Sequence, residues 1–113
     1  MARKIEVFCR FQFEATHSCP SEVCPEELPF LCHEHRHIFH VRCVAPVKHD
    51  NRDIEFIKMK HDISNYCCAR FEHKNIGNMS CEQIAEQLIN FFPYLSRVTV
   101  SEDGENGATV TSI

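Results

Sequence analysis

Apolar and polar residues alternate along the first part of the chain, a pattern typical of a β-strand that is buried on one face. Over residues 3–17 the charged side chains Lys4, Glu6 and Arg10 share one face, and His17 ends the other. The apolar face consists of Ile5, Val7, Cys9, Phe11, Phe13, Ala15 and His17. A loop with three prolines follows, so the first strand is predicted to end near His17.

The same period of two returns in a second predicted strand, over about residues 35–47. One face of this strand is mostly apolar and begins with two histidines; it carries His35, His37, Phe39, Val41 and Cys43. Pro46 cannot donate a backbone hydrogen bond, so it marks the fraying end of the strand.

In the next two segments the apolar residues have the spacing of α-helices. In "DIEFIKMKHDISNYC" (53–67) apolar residues recur at helical spacing, at Phe56, Met59, Ile63 and Tyr66, and Asp53 is the predicted N-cap. In "SCEQIAEQLINFF" (80–92) Ser80 and Gln83 have the spacing of a capping box, and Pro93 ends the helix. The residues predicted to face the core from this second helix are Ile84, Leu88, Phe91 and Phe92.

The end of the chain is predicted to form a β-hairpin. The strand "SRVTVSE" (96–102) is followed by the turn "DGENG" and by a last strand "ATVTSI" (108–113). The element order is therefore ββααββ. It predicts an α+β fold in which a twisted antiparallel sheet of four strands carries two helices on one face, as one domain over residues 1–113.

Composition and charge exclude several classes of protein. A net charge of −4 without a basic cluster argues against nucleic acid as the partner. The start "MARKIEVFCRF" lacks the apolar run of a signal peptide, and no segment has membrane-spanning length, so we expect a cytoplasmic protein that does not bind membranes. The eight cysteines are then expected to be thiols, with Cys9, Cys43, Cys67 and Cys68 acting as small buried apolar residues.

Four of the eight histidines lie in "LCHEHRHIFHV" (31–41), and their spacing suggests a metal site. Residues two apart on a strand point to the same side, so His35 and His37 can both reach one ion. His17 ends the neighbouring apolar face and offers a third imidazole. Three histidines with a free fourth position are typical of a catalytic zinc site.

Five further segments occur in a fixed order around these histidines. They are "FQFEATH" (11–17), "DIEFIKMK" (53–60), "FEHKNIGN" (71–78), "SCEQIAEQL" (80–88) and "VTVSEDGENGA" (98–108). Together with the two histidines followed by Phe39, they resemble the 6-pyruvoyltetrahydropterin synthase and 6-carboxytetrahydropterin synthase family, which has the tunnelling fold. The resemblance spans nearly the whole chain and selects His17, His35 and His37 as zinc ligands, because Phe39 then takes the place of the family's aromatic residue.

The resemblance implies a function and further site residues. The substrate would be a 7,8-dihydropterin triphosphate, and Glu102 would hold the guanidine-like edge of the pterin with two hydrogen bonds. Glu72 and His73 would correspond to the family's Asp-His pair, which helps a cysteine thiolate to act as the base. The resemblance also implies a homo-oligomer, commonly a hexamer, with sites at subunit boundaries.

The chain departs from the family at the base and at one strand position. The family's cysteine lies four residues before the first ligand of the pair, where this chain has Leu31. Cys32 is the preferred candidate for the base, with Cys24 and Glu34 as competitors. Arg36 replaces a glycine, which is harmless only if the backbone there is an ordinary strand.

Three functions therefore remain open from the sequence. The first is a zinc-dependent pterin synthase, with the 6-carboxytetrahydropterin product preferred over the 6-pyruvoyl product because the chain is compact. The second is a structural zinc module formed by Cys19, Cys24, Cys32 and His33. The third is a pterin-binding or purine-binding relative without catalytic activity.

Overall fold

The computed structural model describes residues 3–113. Two long strands come first, β1 (Ile5–His17) and β2 (His35–Val47), and the loop between them contains a short 3-10 helix, Pro29–Cys32. The helices are α1 (Phe56–Arg70) and α2 (Cys81–Phe91), and the closing hairpin is formed by β3 (Arg97–Glu102) and β4 (Asn106–Thr111). The predicted ββααββ order is confirmed.

The four strands form one antiparallel sheet in the order β1-β2-β3-β4. In the β1–β2 pair His17 lies opposite His35 and Ala15 lies opposite His37, while Phe39 of β2 lies opposite Glu102 of β3. This register brings the end of β1, the start of β2 and the end of β3 to the same corner of the sheet.

Both helices cover one face of the sheet, with α1 packed on β1 and α2 packed on β3 and β4. Phe13 and Phe39 stack at the centre with ring centroids 5.2 Å apart, and the helices contribute Ile63, Ile84 and Leu88, which are fully buried. Burial of such side chains is the main stabilising term of the fold, at roughly 1.5–3 kcal/mol each. The described part of the chain, residues 3–113, contains no helix that is both long and apolar enough to cross a bilayer.

The start of α2 follows the sequence prediction, and the start of α1 does not. The Ser80 hydroxyl accepts from the Gln83 N–H, and the Gln83 side-chain oxygen accepts from the Ser80 N–H, which confirms the capping box. Asp53 as the N-cap of α1 was wrong, because its carboxylate accepts from the Lys48 N–H at 2.8 Å. The cap is instead Glu55, which accepts from the backbone N–H groups of Ile57 and Lys58.

Burial was predicted correctly for most of the apolar residues, with four errors. Ile5, assigned to the buried face of the first strand, is 38% exposed at the start of β1. Phe56 and Phe91, both expected in the core, are 52% and 56% exposed because they lie at the ends of their helices, beyond the area that the sheet covers. Cys68 is also exposed, on the outer side of α1, next to the buried Cys67. Cys9 and Cys43 are buried as predicted.

The connection between α1 and α2 runs along the outer edge of β1. The Thr16 N–H donates to the Lys74 carbonyl at 3.0 Å, and the Ile76 N–H donates to the Thr16 carbonyl at 2.8 Å. This segment therefore covers the β1 edge beside His17 and carries Met79 and Ser80 to the same corner of the molecule.

Candidate metal centre and pocket

Three histidines converge on one point at the open end of the helix-covered face. His17 is the last residue of β1 and His35 is the first residue of β2, and the two lie opposite each other in the register. His37 follows two residues later on the same face of β2, opposite Ala15. One ligating atom of each imidazole lies within 4.8 Å of those of the other two. The predicted ligand set is therefore assembled in a single chain, on the face that the strand period assigned to it.

Each of the three rings is held through its Nδ1 atom by an acceptor outside the cluster. His17 Nδ1 lies 2.7 Å from the Met79 carbonyl oxygen, and His35 Nδ1 lies 2.8 Å from the His33 carbonyl oxygen. His37 Nδ1 lies 2.7 Å from Asp103 Oδ2. A carbonyl or a carboxylate can only accept, so each Nδ1 carries the proton and each Nε2 keeps a lone pair for a metal ion.

The environment of the free nitrogens also fits a cation. His17 is only 6% exposed, and among residues 3–113 the Nε2 atoms of His17 and His37 have no hydrogen-bond partner. The Glu102 carboxylate approaches them at 3.1 and 3.6 Å. A carboxylate oxygen and an imidazole lone pair repel each other unless a proton or a metal ion lies between them, so the donor set suits a bound cation.

A pocket of about 400 Å³ opens beside the three histidines. Its lining includes His17, His35, Cys19, Met79, Cys81 and Glu102. Burial, together with the nearby Glu102 charge, raises the pKa of the Cys81 thiol to about 12, so this cysteine stays protonated at neutral pH. The pocket thus presents imidazole nitrogens at one wall and the Glu102 carboxylate close to them.

Glu72 and His73 lie along the outer edge of β1, next to Glu14. The Glu72 carboxylate accepts from the Glu14 backbone N–H at 2.6 Å, and its other oxygen is 3.8 Å from His73 Nε2. The nearer carboxylate to His73 is that of Glu14, at 3.3 Å from Nδ1. The predicted pair is thus adjacent, but Glu14, which the sequence analysis did not single out, contacts the imidazole more closely.

Two residues whose roles the sequence left open, Glu34 and Arg36, lie near His73. A second pocket, of about 280 Å³, is lined by Glu34, Arg36 and His73, among others. Glu34 accepts from the Thr16 hydroxyl at 2.6 Å, and Arg36 forms an ion pair with Glu14. Arg36 lies in regular strand with no positive φ, so the position does not require glycine. Because Arg36 alternates with His35 and His37, this pocket and the histidine cluster lie on opposite faces of the sheet.

Cys32 ends the 3-10 helix of the β1–β2 loop, and its thiol affects the pKa of the Cys24 thiol. A hydrogen bond with the Cys32 thiol, then burial and the nearby Cys19, raise the pKa of the Cys24 thiol to about 12. Cys32 is not among the residues that line either pocket described above.

The donor atoms of the alternative zinc site lie further apart than those of the three histidines. Among residues 3–113 the only ligating groups that bring three donor atoms within 4.8 Å of one another are the three histidines. The alternative set, Cys19, Cys24, Cys32 and His33, is not gathered this closely.

Two groups that hold the histidine cluster in place were missed by the sequence analysis. The Met79 carbonyl belongs to the backbone, which gives no sequence signal. Asp103 and Gly104 could be predicted as a hairpin turn, because Asp-Gly is a preferred pair at this position. The contact of Asp103 with His37 could not, because it depends on the register of β2 with β3.

Comparison with known proteins gives matches at the level of structure. Neither models of known protein families nor the sequences of curated proteins match the chain significantly. Among solved structures, Caenorhabditis elegans 6-pyruvoyl tetrahydropterin synthase superposes with a TM-score of 0.76 at 16% identity, covering 98% of this chain and 97% of that one. An uncharacterised Wolinella succinogenes protein gives 0.82 at 12% identity, covering 99% and 100%.

The 6-pyruvoyltetrahydropterin synthase of Plasmodium vivax is a third similar structure, with a TM-score of 0.66 at 16% identity and coverage of 98% and 99%. A variant of the Plasmodium enzyme, in which a catalytic glutamate is replaced by cysteine, matches similarly. At such identities the likeness concerns the fold. The chain has the tunnelling fold, as the sequence resemblance implied.

Proposed function

We propose that this protein is a zinc-dependent enzyme of the 6-pyruvoyl- and 6-carboxytetrahydropterin synthase family, which acts on 7,8-dihydroneopterin triphosphate. The observation that carries the proposal is the cluster of three histidines, each with one ring nitrogen within 4.8 Å of the others, beside Glu102 in a fold shared with pterin synthases. Zinc held by His17, His35 and His37 would act as a Lewis acid on the side-chain oxygens of the substrate and acidify the neighbouring C–H bond.

The residues of the pocket then have defined tasks. Glu102 accepts two hydrogen bonds from the amino-pyrimidine edge of the pterin, a geometry that suits a carboxylate. Its position in the same pocket as His17 and His35 supports this task. The half-buried pocket limits the access of water to the side chain of the substrate, which strengthens the electrostatic contacts within it.

The base is Cys32 or Glu34, with Cys24 as the remaining candidate. The family resemblance supports Cys32. The shared pocket of Glu34 and His73 supports Glu34, and so does the catalytic glutamate of the Plasmodium relative. In either case His73, with the carboxylates of Glu14 and Glu72 next to it, is the proton-transfer partner.

The site is shared between subunits in this proposal. The base candidate Glu34 and the proton-transfer partner His73 line a pocket on the face opposite to the histidine cluster, so they would act on a substrate that is bound by another copy of the chain. The β4 strand supports assembly, because within residues 3–113 it pairs only with β3 and leaves its outer edge free. A hexamer is the expected form, and light scattering would determine it.

The preferred product is 6-carboxytetrahydropterin, the precursor of queuosine-type deazapurines, formed in the cytoplasm. The second candidate is the 6-pyruvoyl product, which is favoured by the names of the C. elegans and Plasmodium structures. Incubation of the zinc-loaded protein with 7,8-dihydroneopterin triphosphate, followed by mass spectrometry, distinguishes the two. Unchanged substrate that nevertheless binds tightly would contradict both and favour a binding protein; His37→Ala is the inactive control.

A further inference from the structure

Asp103 makes three hydrogen bonds to two successive residues of β2. Its Oδ2 atom accepts from His37 Nδ1 at 2.7 Å, and its Oδ1 atom accepts from the Ile38 N–H at 3.0 Å. Its own N–H donates to the Ile38 carbonyl at 2.7 Å. The carboxylate therefore contacts a proposed metal ligand and is itself fixed by the strand that carries this ligand.

The turn that contains Asp103 accounts for its backbone but not for its carboxylate. Asp103 and Gly104 have φ angles of +56° and +73°, and the Glu105 N–H donates to the Glu102 carbonyl, as in the Asp-Gly turns of tight hairpins. Asparagine tolerates this conformation equally well. The two bonds, however, use the two separate oxygens of the carboxylate, and an asparagine would present an NH₂ group in place of one of them.

His37 differs from the other two histidines in the charge of its acceptor. His17 and His35 donate to backbone carbonyls, whereas His37, among the described residues, donates to a carboxylate. The Asp103 carboxylate is held in place by a second bond, from the Ile38 N–H to its other oxygen. A carboxylate acceptor fixes the Nδ1–H tautomer of a histidine and increases the basicity of Nε2, which favours metal binding.

We infer that Asp103 is a positioning residue of the metal site, which keeps His37 in the tautomer and orientation that present Nε2 to the ion. This inference rests on the proposed zinc site and not on the pterin chemistry. A carboxylate in this role typically changes metal affinity by 10- to 100-fold.

The test is the Asp103→Asn variant, which keeps the size and the turn conformation. Its amide would donate to His37 Nδ1 while its oxygen accepts from Ile38, so the proton would move to Nε2, the atom that must bind zinc. We expect zinc affinity, measured by competition with a chromophoric chelator, to fall by about 10- to 100-fold. Glu105→Gln is the matched control, because it removes one negative charge from the same exposed turn.

A second readout separates positioning from a merely structural role. The ¹⁵N shifts of His37 in the metal-free parent should report the Nδ1–H tautomer, and those of Asp103→Asn the Nε2–H tautomer, with His17 unchanged. Zinc affinity within twofold of the parent would overturn the inference, and so would an Nε2–H tautomer in the parent. If Asp103→Asn does not fold, the His37 tautomer of the metal-free parent alone tests the role of Asp103. A parent that binds no zinc would overturn both the metal site and the role of Asp103. A lack of pterin turnover would overturn the proposed enzyme activity but not the role of Asp103.

Discussion

Replacement of His37 by alanine should abolish stoichiometric zinc binding and the thermal stabilisation that zinc provides. The variant removes one of three imidazoles whose donor atoms lie within 4.8 Å of one another, and it also leaves Asp103 Oδ2 without its His37 partner. The matched control is His33→Ala, since His33 is exposed and its contribution to the site is the backbone carbonyl that holds His35, which alanine retains.

The expected size of the effect follows from linkage. Free zinc at 100 times its dissociation constant stabilises the folded parent by about 2.7 kcal/mol. With an unfolding entropy of about 2.1 cal/mol/K per residue, this corresponds to a rise in Tm of roughly 11 °C for a chain of 113 residues. We expect this rise in the parent and in His33→Ala, and a rise of less than about 2 °C in His37→Ala.

The assay combines differential scanning calorimetry with and without zinc and metal analysis of dialysed protein. One zinc per chain is expected for the parent and for His33→Ala, and close to none for His37→Ala. A His37→Ala protein that keeps one zinc per chain and the full rise in Tm would refute the assignment of the histidine cluster as the metal site.

Three more predictions concern the base, the shared site and the fold. Cys32→Ala and Glu34→Gln should both keep zinc, and the one that loses turnover by 10²-fold or more in steady-state kinetics identifies the base, while full activity in both would exclude these two residues. Inactive Glu102→Ala and inactive His73→Ala, mixed and reassembled, should regain partial activity; no recovery, despite confirmed exchange of subunits, would contradict a site shared between chains. Ser80→Ala should lower the free energy of unfolding by about 1 kcal/mol in urea titrations, because it removes the capping box, and an unchanged midpoint would show that the cap contributes little.

The sequence predicted features that depend on local periodicity. The alternation in β1 and β2 and the helical spacing in α1 and α2 gave the correct element order, because each period reflects a face that must be buried. The same alternation assigned His17, His35 and His37 to one face. The capping box at Ser80 was also predictable, since its two partners are three residues apart.

Features that depend on long-range contacts were not predictable in this way. Asp53 has the residue type of an N-cap, but the structure uses its carboxylate for the Lys48 N–H, and Glu55 takes the cap. Phe91 continues the apolar stripe of α2, yet the sheet does not reach the end of this helix. The contacts of Asp103 with His37 and of Glu14 with His73 join residues 66 and 59 positions apart, so only the tertiary structure brings them together.

X-ray absorption spectroscopy of the zinc-loaded protein would identify the zinc ligands. We expect three imidazole nitrogens at about 2.0–2.1 Å, a fourth light ligand from water or a carboxylate, and a change of that fourth ligand when the pterin substrate is added. Sulfur scattering at about 2.3 Å would contradict this expectation, because the zinc would then be held by the thiols of the β1–β2 loop instead of by His17, His35 and His37.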